Sequence, residues 1–249
     1  MSIPDLTHVT TLLLDADGTL FPSEEPAFAA SAVVTRDFAR RFGLRGDFSP
    51  GPLRRATTGG TFRGTARELA RRQGVRLDPD LLEVWVERER NEVTAALARA
   101  LGPRPEVVAA VAALRRHHRL AVVSSSALTR LAACFTASGL DRLLPPGCRF
   151  SAEDSLPVPT SKPDPAVYRF ALARLGVAPH EALALEDSAA GTASAVTAGI
   201  TTAGLVQFVP ADERAGRSAD LRAAGAAWVR RSWAEFASDL AAETVRVTA

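Results

Sequence analysis

The sequence predicts an α/β protein, a doubly wound parallel sheet interrupted by one all-helical insertion. Three observations predict it. Short unbroken apolar runs recur at 9–14 (VTTLLL), 120–123 (LAVV), 182–185 (ALAL) and 200–206 (ITTAGLV), the pattern of strands covered on both faces. Helical spacing of apolar residues fills the stretches between the later runs, and strands alternating with helices build a parallel sheet. Residues 23–103 break the alternation, because they carry helical spacing alone.

Taken in order, the first run ends at Asp15. The insertion then shows Val34, Phe38 and Phe42, followed by Leu69 and Ala70, then Leu82, Trp85, Val86, Val93 and Leu97, with Gly43 and Gly74 as stops. Residues 1–22 and 104–249 are expected to form the sheet domain, and 23–103 the helical one. Pro105 suits a first helical position, with Val107, Ala110, Val111 and Leu114 on one face. Leu128, Leu131, Ala132 and Phe135 repeat that face after 120–123. Asp164 and Pro165 read as an N-cap and first residue ahead of Val167, Phe170 and Ala171. Ser188 caps a helix that stops at Gly199.

At 249 residues, 47% hydrophobic and 23% charged, the composition is that of a soluble globular protein. The net charge of +2 is small, and arginine pairs such as Arg54-Arg55 and Arg115-Arg116 are scattered among acids. They read as solvated helix faces rather than a nucleic-acid footprint, which gathers on one element. Cys134 and Cys148 form no CxxC or Cys/His cluster, which argues against a disulfide scaffold or zinc site and fits a cytoplasmic protein. The apolar run near the start is too short for a signal or membrane span. His117 and His118 fall at a helix end, where a cation is favoured. Nothing in the sequence speaks to oligomeric state.

Four polar clusters fall at or beyond predicted strand ends, where open α/β sheets place their sites. They are Asp15-Ala16-Asp17-Gly18, Ser124-Ser125-Ser126, Lys162 and Glu186-Asp187-Ser188. Singly, each also fits plain structure: a turn, a helix cap, an acidic first turn, an ordinary cation. Lys162 is the only lysine; the other 29 of the 30 basic residues are arginine.

LLLDADGTL, AVVSSS, SKPDP and LEDSAAG resemble, in this order, the four signature motifs of the haloacid dehalogenase superfamily, and the likeness runs from Leu12 to about Leu240. Within it the chain is similar to phosphatases carrying a helical cap after the first strand, and GAAWVRRSWAEF resembles the usual last strand and helix. The resemblance implies a Rossmann-like core, Mg²⁺ as cofactor and a small phosphomonoester as substrate. It implies Asp15 as nucleophile and Asp17 as general acid and base. Ser124 and Lys162 would hold the phosphoryl group, helped by backbone N–H groups around Gly18 and by Ser125. Asp15 and Asp187 would supply side chains to the metal, with Glu186 nearby and the Asp17 backbone carbonyl completing the set. These roles agree with the chemistry, since a carboxylate attacking a phosphate dianion needs its charge offset.

Relatives are distinguished by single positions. Dehalogenases of this family lack an acid where Asp17 stands, because a halide leaves without a proton. Phosphonoacetaldehyde hydrolases use a cap lysine, and this chain has no second lysine. β-Phosphoglucomutases are similar even at Gly60 and Arg63, in the loop 57–64 (TTGGTFRG), which equally fits a helix–helix turn. The mutases carry a histidine where this chain has Ala27. A phosphatase is therefore expected, with a phosphosugar mutase next and a dehalogenase or a non-catalytic binding domain behind.

Overall fold

Strand β1, Thr11–Leu14, lies at the middle of a six-stranded sheet in the computed structural model, which describes residues 3–57 and 61–248. The next elements are all helical: α1 (Glu24–Phe42), α2 (Pro50–Thr57), α3 (Phe62–Arg72) and α4 (Pro79–Ala100). There follow α5 (Pro105–Leu114), β2 (Arg119–Ser124), α6 (Leu128–Ser138), β3 (Arg149–Ser151) and α7 (Ala166–Leu175). The chain closes with β4 (Ala182–Glu186), α8 (Ala189–Thr197), β5 (Thr201–Leu205), α9 (Arg214–Ala223), β6 (Trp228–Arg230) and α10 (Trp233–Thr248).

All strand pairs are parallel and the order is β3-β2-β1-β4-β5-β6, the doubly wound order expected from the alternation. The order reverses between β1 and β4, so a crevice opens at their carboxyl ends. Leu12, Leu13 and Leu14 are fully buried there. Together they contribute roughly 5–9 kcal/mol by area and anchor the strand from which Asp15 emerges. The Trp233 indole donates to the Thr19 carbonyl at 2.8 Å, tying α10 to the turn after β1.

The chain divides into two compact units, Met1–Pro22 with Gly102–Ala249, and Ser23–Leu101. In the helical unit α1 packs along α4. Phe38 is its centre, edge-on to Phe62 at 5.8 Å and to Trp85 at 5.7 Å. Gly43 ends α1 at φ 65°, a left-handed stop that favours glycine.

Two local expectations shift. Helix α7 begins at Ala166 with Pro165 in the capping position, and Asp164 accepts the Ala166 N–H through Oδ1 at 2.9 Å from one residue further back. Strand β3 has no apolar run to announce it. Its first residue, Arg149, is buried because its guanidinium lies 3.9 Å from the centre of the Phe135 ring and bonds Asp141 and the Leu144 carbonyl.

Candidate active site

Register brings the first and last clusters together. Leu14 pairs with Leu185 across β1 and β4, and the Asp15 N–H donates to the Leu185 carbonyl at 3.0 Å. Asp15 therefore emerges beside Glu186, and both are buried. Lys162 arrives from the segment between β3 and α7. Its Nζ donates to Asp15 Oδ1 at 2.6 Å, to Glu186 Oε1 at 2.6 Å and to the Val123 carbonyl at 2.7 Å. An ammonium has three donors, and all three are used.

The backbone around Lys162 is held as well. Its N–H donates to Ser125 Oγ at 3.0 Å, the peptide bond to Pro163 is cis, and Ser194 Oγ donates to the Asp164 carbonyl at 2.7 Å. Ser125, read from the sequence as a substrate contact, thus fastens the lysine segment to the end of β2. Ser124 Oγ accepts from the Ser126 N–H at 3.0 Å. Ser126 Oγ in turn donates to Asp17 Oδ2 at 2.7 Å, a contact that a run of three serines does not announce.

Two glycines make room for the acids. Gly18 has φ 79°, and a Cβ there would lie 2.1 Å from Asp187 Oδ2. Its N–H, expected to face an anion, instead donates to the Phe21 carbonyl at 3.0 Å, because the turn after β1 closes on itself. Gly18 serves by its missing side chain. A Cβ at Gly191, in the first turn of α8, would stand 1.8 Å from Glu186 Oε2, so the carboxylate lies directly against that helix. Ser188 Oγ accepts from the Gly191 N–H at 3.1 Å and starts the helix as expected.

Two further partners carried no sequence signal as site residues. Tyr168 donates to Glu186 Oε1 at 2.5 Å from beneath the sheet. Arg217, on α9, donates to the Asp187 carbonyl at 3.0 Å and lies 3.6 Å from its Oδ2. In the helical unit Arg63 is the second residue of α3 and is ion-paired with Glu83. Gly60 lies outside the described residues.

Burial is the dominant force on the ionisable groups. It raises Asp15 above the usual carboxylate range, with Lys162 pulling the other way and Asp17 adding to the rise. It pushes Glu186 up to about 7, against the pull of Lys162. Burial alone would lower Lys162, but Asp15 and Glu186 outweigh it and hold the ammonium charged. Cys134 is a free, buried thiol pushed up to about 12 by burial, which leaves it inert.

The acids fit a hard cation. Asp15, Glu186 and Asp187 each offer a carboxylate oxygen, all within 4.8 Å of one another, and form the one such group of three among the described residues. Asp15 Oδ2 and Glu186 Oε2 are buried and accept no hydrogen bond. Buried oxygens are costly to leave so, and an oxygen-seeking cation removes the cost. His117 and His118 follow the end of α5, away from this group in sequence and fold.

Acids gathered round one ammonium at the reversal point of a parallel sheet define a site of the kind that open α/β enzymes carry there. The family is narrower than that. The model of the haloacid dehalogenase-like hydrolases matches residues 9–199, and the chain belongs to that family. A CBBY-like protein of Arabidopsis thaliana is 52% identical over 44 residues, a match spanning 18% of this chain and only 14% of that protein. A HAD family hydrolase of Deinococcus radiodurans, solved with bound phosphate and sodium, is 27% identical with a TM-score of 0.66, covering 96% of this chain and 97% of its own. CbbY of Rhodobacter sphaeroides, solved with xylulose-(1,5)bisphosphate, is 25% identical with a TM-score of 0.69, covering 91% and 96%. Among the described residues no helix is long and apolar enough to cross a membrane.

Proposed function

We propose that the chain is a cytoplasmic, Mg²⁺-dependent phosphatase of a small phosphorylated metabolite, a sugar phosphate or phosphoglycolate-like compound, working through an aspartyl-phosphate on Asp15. The observation that carries this is Asp17, two residues beyond Asp15 with its carboxylate held by Ser126 at 2.7 Å. Chemistry that expels an alkoxide needs such an acid, and chemistry that expels a halide does not. The phosphate and the sugar bisphosphate bound by the two solved relatives support a phosphorylated substrate.

In this reading Asp15 forms a bond to phosphorus as the ester P–O bond breaks, and Asp17 gives its proton to the departing oxygen. Asp17 then takes a proton from water, whose oxygen displaces phosphate and returns the Asp15 carboxylate. Lys162 steadies Asp15 through Oδ1 and offsets charge, and Ser124 at the end of β2 hydrogen-bonds the phosphoryl oxygens. Asp15, Glu186 and Asp187, with the Asp17 backbone carbonyl, would hold Mg²⁺, which supplies the charge that lets two anions meet. Residues 23–103 act as a cap that excludes water and carries specificity, with Gly60 and Arg63 as its substrate-facing candidates.

A mutase is the second reading, favoured by the likeness at Gly60 and Arg63 and opposed by Ala27. One experiment separates them: phosphate release from a panel of phosphorylated metabolites, including β-glucose 1-phosphate, by EDTA-treated protein with and without added Mg²⁺. Release that depends on Mg²⁺ is expected. Glucose 6-phosphate without free phosphate would establish the mutase. Metal-independent loss of halide from a haloacid would overturn both.

A further inference from the structure

Tyr168 is the only tyrosine in the chain, as Lys162 is the only lysine, and both meet at one oxygen of Glu186. The ring is fully buried in the core beneath the sheet, with Val123, Val167, Ala171 and Ala184. Its hydroxyl points out of that core, 2.5 Å from Glu186 Oε1, and Lys162 Nζ lies 5.2 Å from the ring centre. Oε1 thus has two donors and Oε2 has none, although both are buried. The Gly191 backbone closes the remaining side of the carboxylate.

A carboxylate whose two oxygens are treated so unequally has one fixed orientation. Turning it over only exchanges two equivalent oxygens, so what the two donors fix is the plane of the group, with one oxygen held by Lys162 and Tyr168 and the other directed away from them. Packing needs only the ring, for which phenylalanine would serve. The hydroxyl is additional and is aimed at one acid.

We propose that Tyr168 is a positioning residue for the cation: with Lys162 it occupies Glu186 Oε1 and so reserves Oε2 for the metal or for water that the metal carries. The inference rests on the reading of Asp15, Glu186 and Asp187 as the cation site. Partners that orient a metal ligand in this way change metal affinity by 10–100-fold when removed.

The test measures binding rather than turnover. Mn²⁺ affinity of the whole, metal-stripped protein is read from free Mn²⁺ by electron paramagnetic resonance, with circular dichroism checking the fold. Tyr168→Phe should weaken binding roughly tenfold. In a Glu186→Gln background the same substitution should change affinity less than about twofold, because the acid through which it acts is gone. Wild-type protein labelled with [¹³Cζ]tyrosine gives a single signal, and Mg²⁺ should shift it along the binding isotherm. That third measurement stands even if Tyr168→Phe does not fold. Equal Mn²⁺ affinity in wild type and Tyr168→Phe, or a tyrosine signal blind to Mg²⁺, overturns the inference while leaving the cation site. Failure of the wild type to bind either ion overturns the cation site and this inference with it.

Discussion

Replacing Asp15 by Asn should leave the fold standing and lower p-nitrophenyl phosphate hydrolysis by roughly a thousandfold or more. The side chain is nearly isosteric, and the amide keeps an oxygen for the Lys162 ammonium, which also retains Glu186 Oε1 and the Val123 carbonyl. An uncompensated buried charge, the usual source of a large loss on breaking an ion pair, is therefore not created. The change instead removes one of several acids that repel each other in a buried crevice. The melting temperature of metal-free protein should hold steady or rise, as happens when an active site gives up a strained charge. The amide is no nucleophile, so turnover is what fails. Retained turnover in a well-folded Asp15→Asn protein would refute the role given to Asp15.

Lys162→Arg keeps the charge, yet the loss should be roughly a hundredfold or more in phosphate release. Three acceptors converge on one nitrogen at 2.6–2.7 Å, and the side chain is 6% exposed. A guanidinium is planar and wider, and its donors diverge, so it cannot address three acceptors that surround a point. Making room for it would displace Asp15 or Glu186, at an overpacking cost of about 1–3 kcal/mol. Lys162→Met tests the opposite failure, since it fits the space and removes the charge. Its melting temperature should fall clearly, because Asp15 and Glu186 lose their shared cation. Normal activity in Lys162→Arg would mean that charge alone is required at this position.

Strand-end acids were legible because their chemistry and their place coincide. Asp15, Asp17, Glu186 and Asp187 each follow an apolar run, and a parallel sheet must bring such ends to one edge. Lys162 was legible by rarity and by its motif. What escaped was whatever depends on packing from below or from the side. Tyr168 reads in the sequence as one more apolar position of α7, since nothing local says that its hydroxyl reaches β4. Arg217 is one of 29 arginines and stands 30 residues beyond the Asp187 it touches. Ser126 was hidden in a run of three serines, whose separate tasks appear only once β2 has ended. Gly18 reads in the sequence as a turn residue with its N–H toward an anion, and the fold uses its missing side chain instead. A glycine signals a special backbone, but only the fold reveals that Asp187 fills the space where a side chain would stand. Strand β3 was missed because a buried arginine looks like surface until Phe135 is beneath it.

The solitary lysine has a consequence for the surface as well as for the site. With Lys162 enclosed by Asp15, Glu186 and Tyr168, the folded exterior displays no side-chain amine. An acylating reagent reaches that nitrogen only when the crevice opens. Acylation located at Lys162 by peptide mapping, as distinct from the α-amine, is then a clock for local opening built into the chain without any added label.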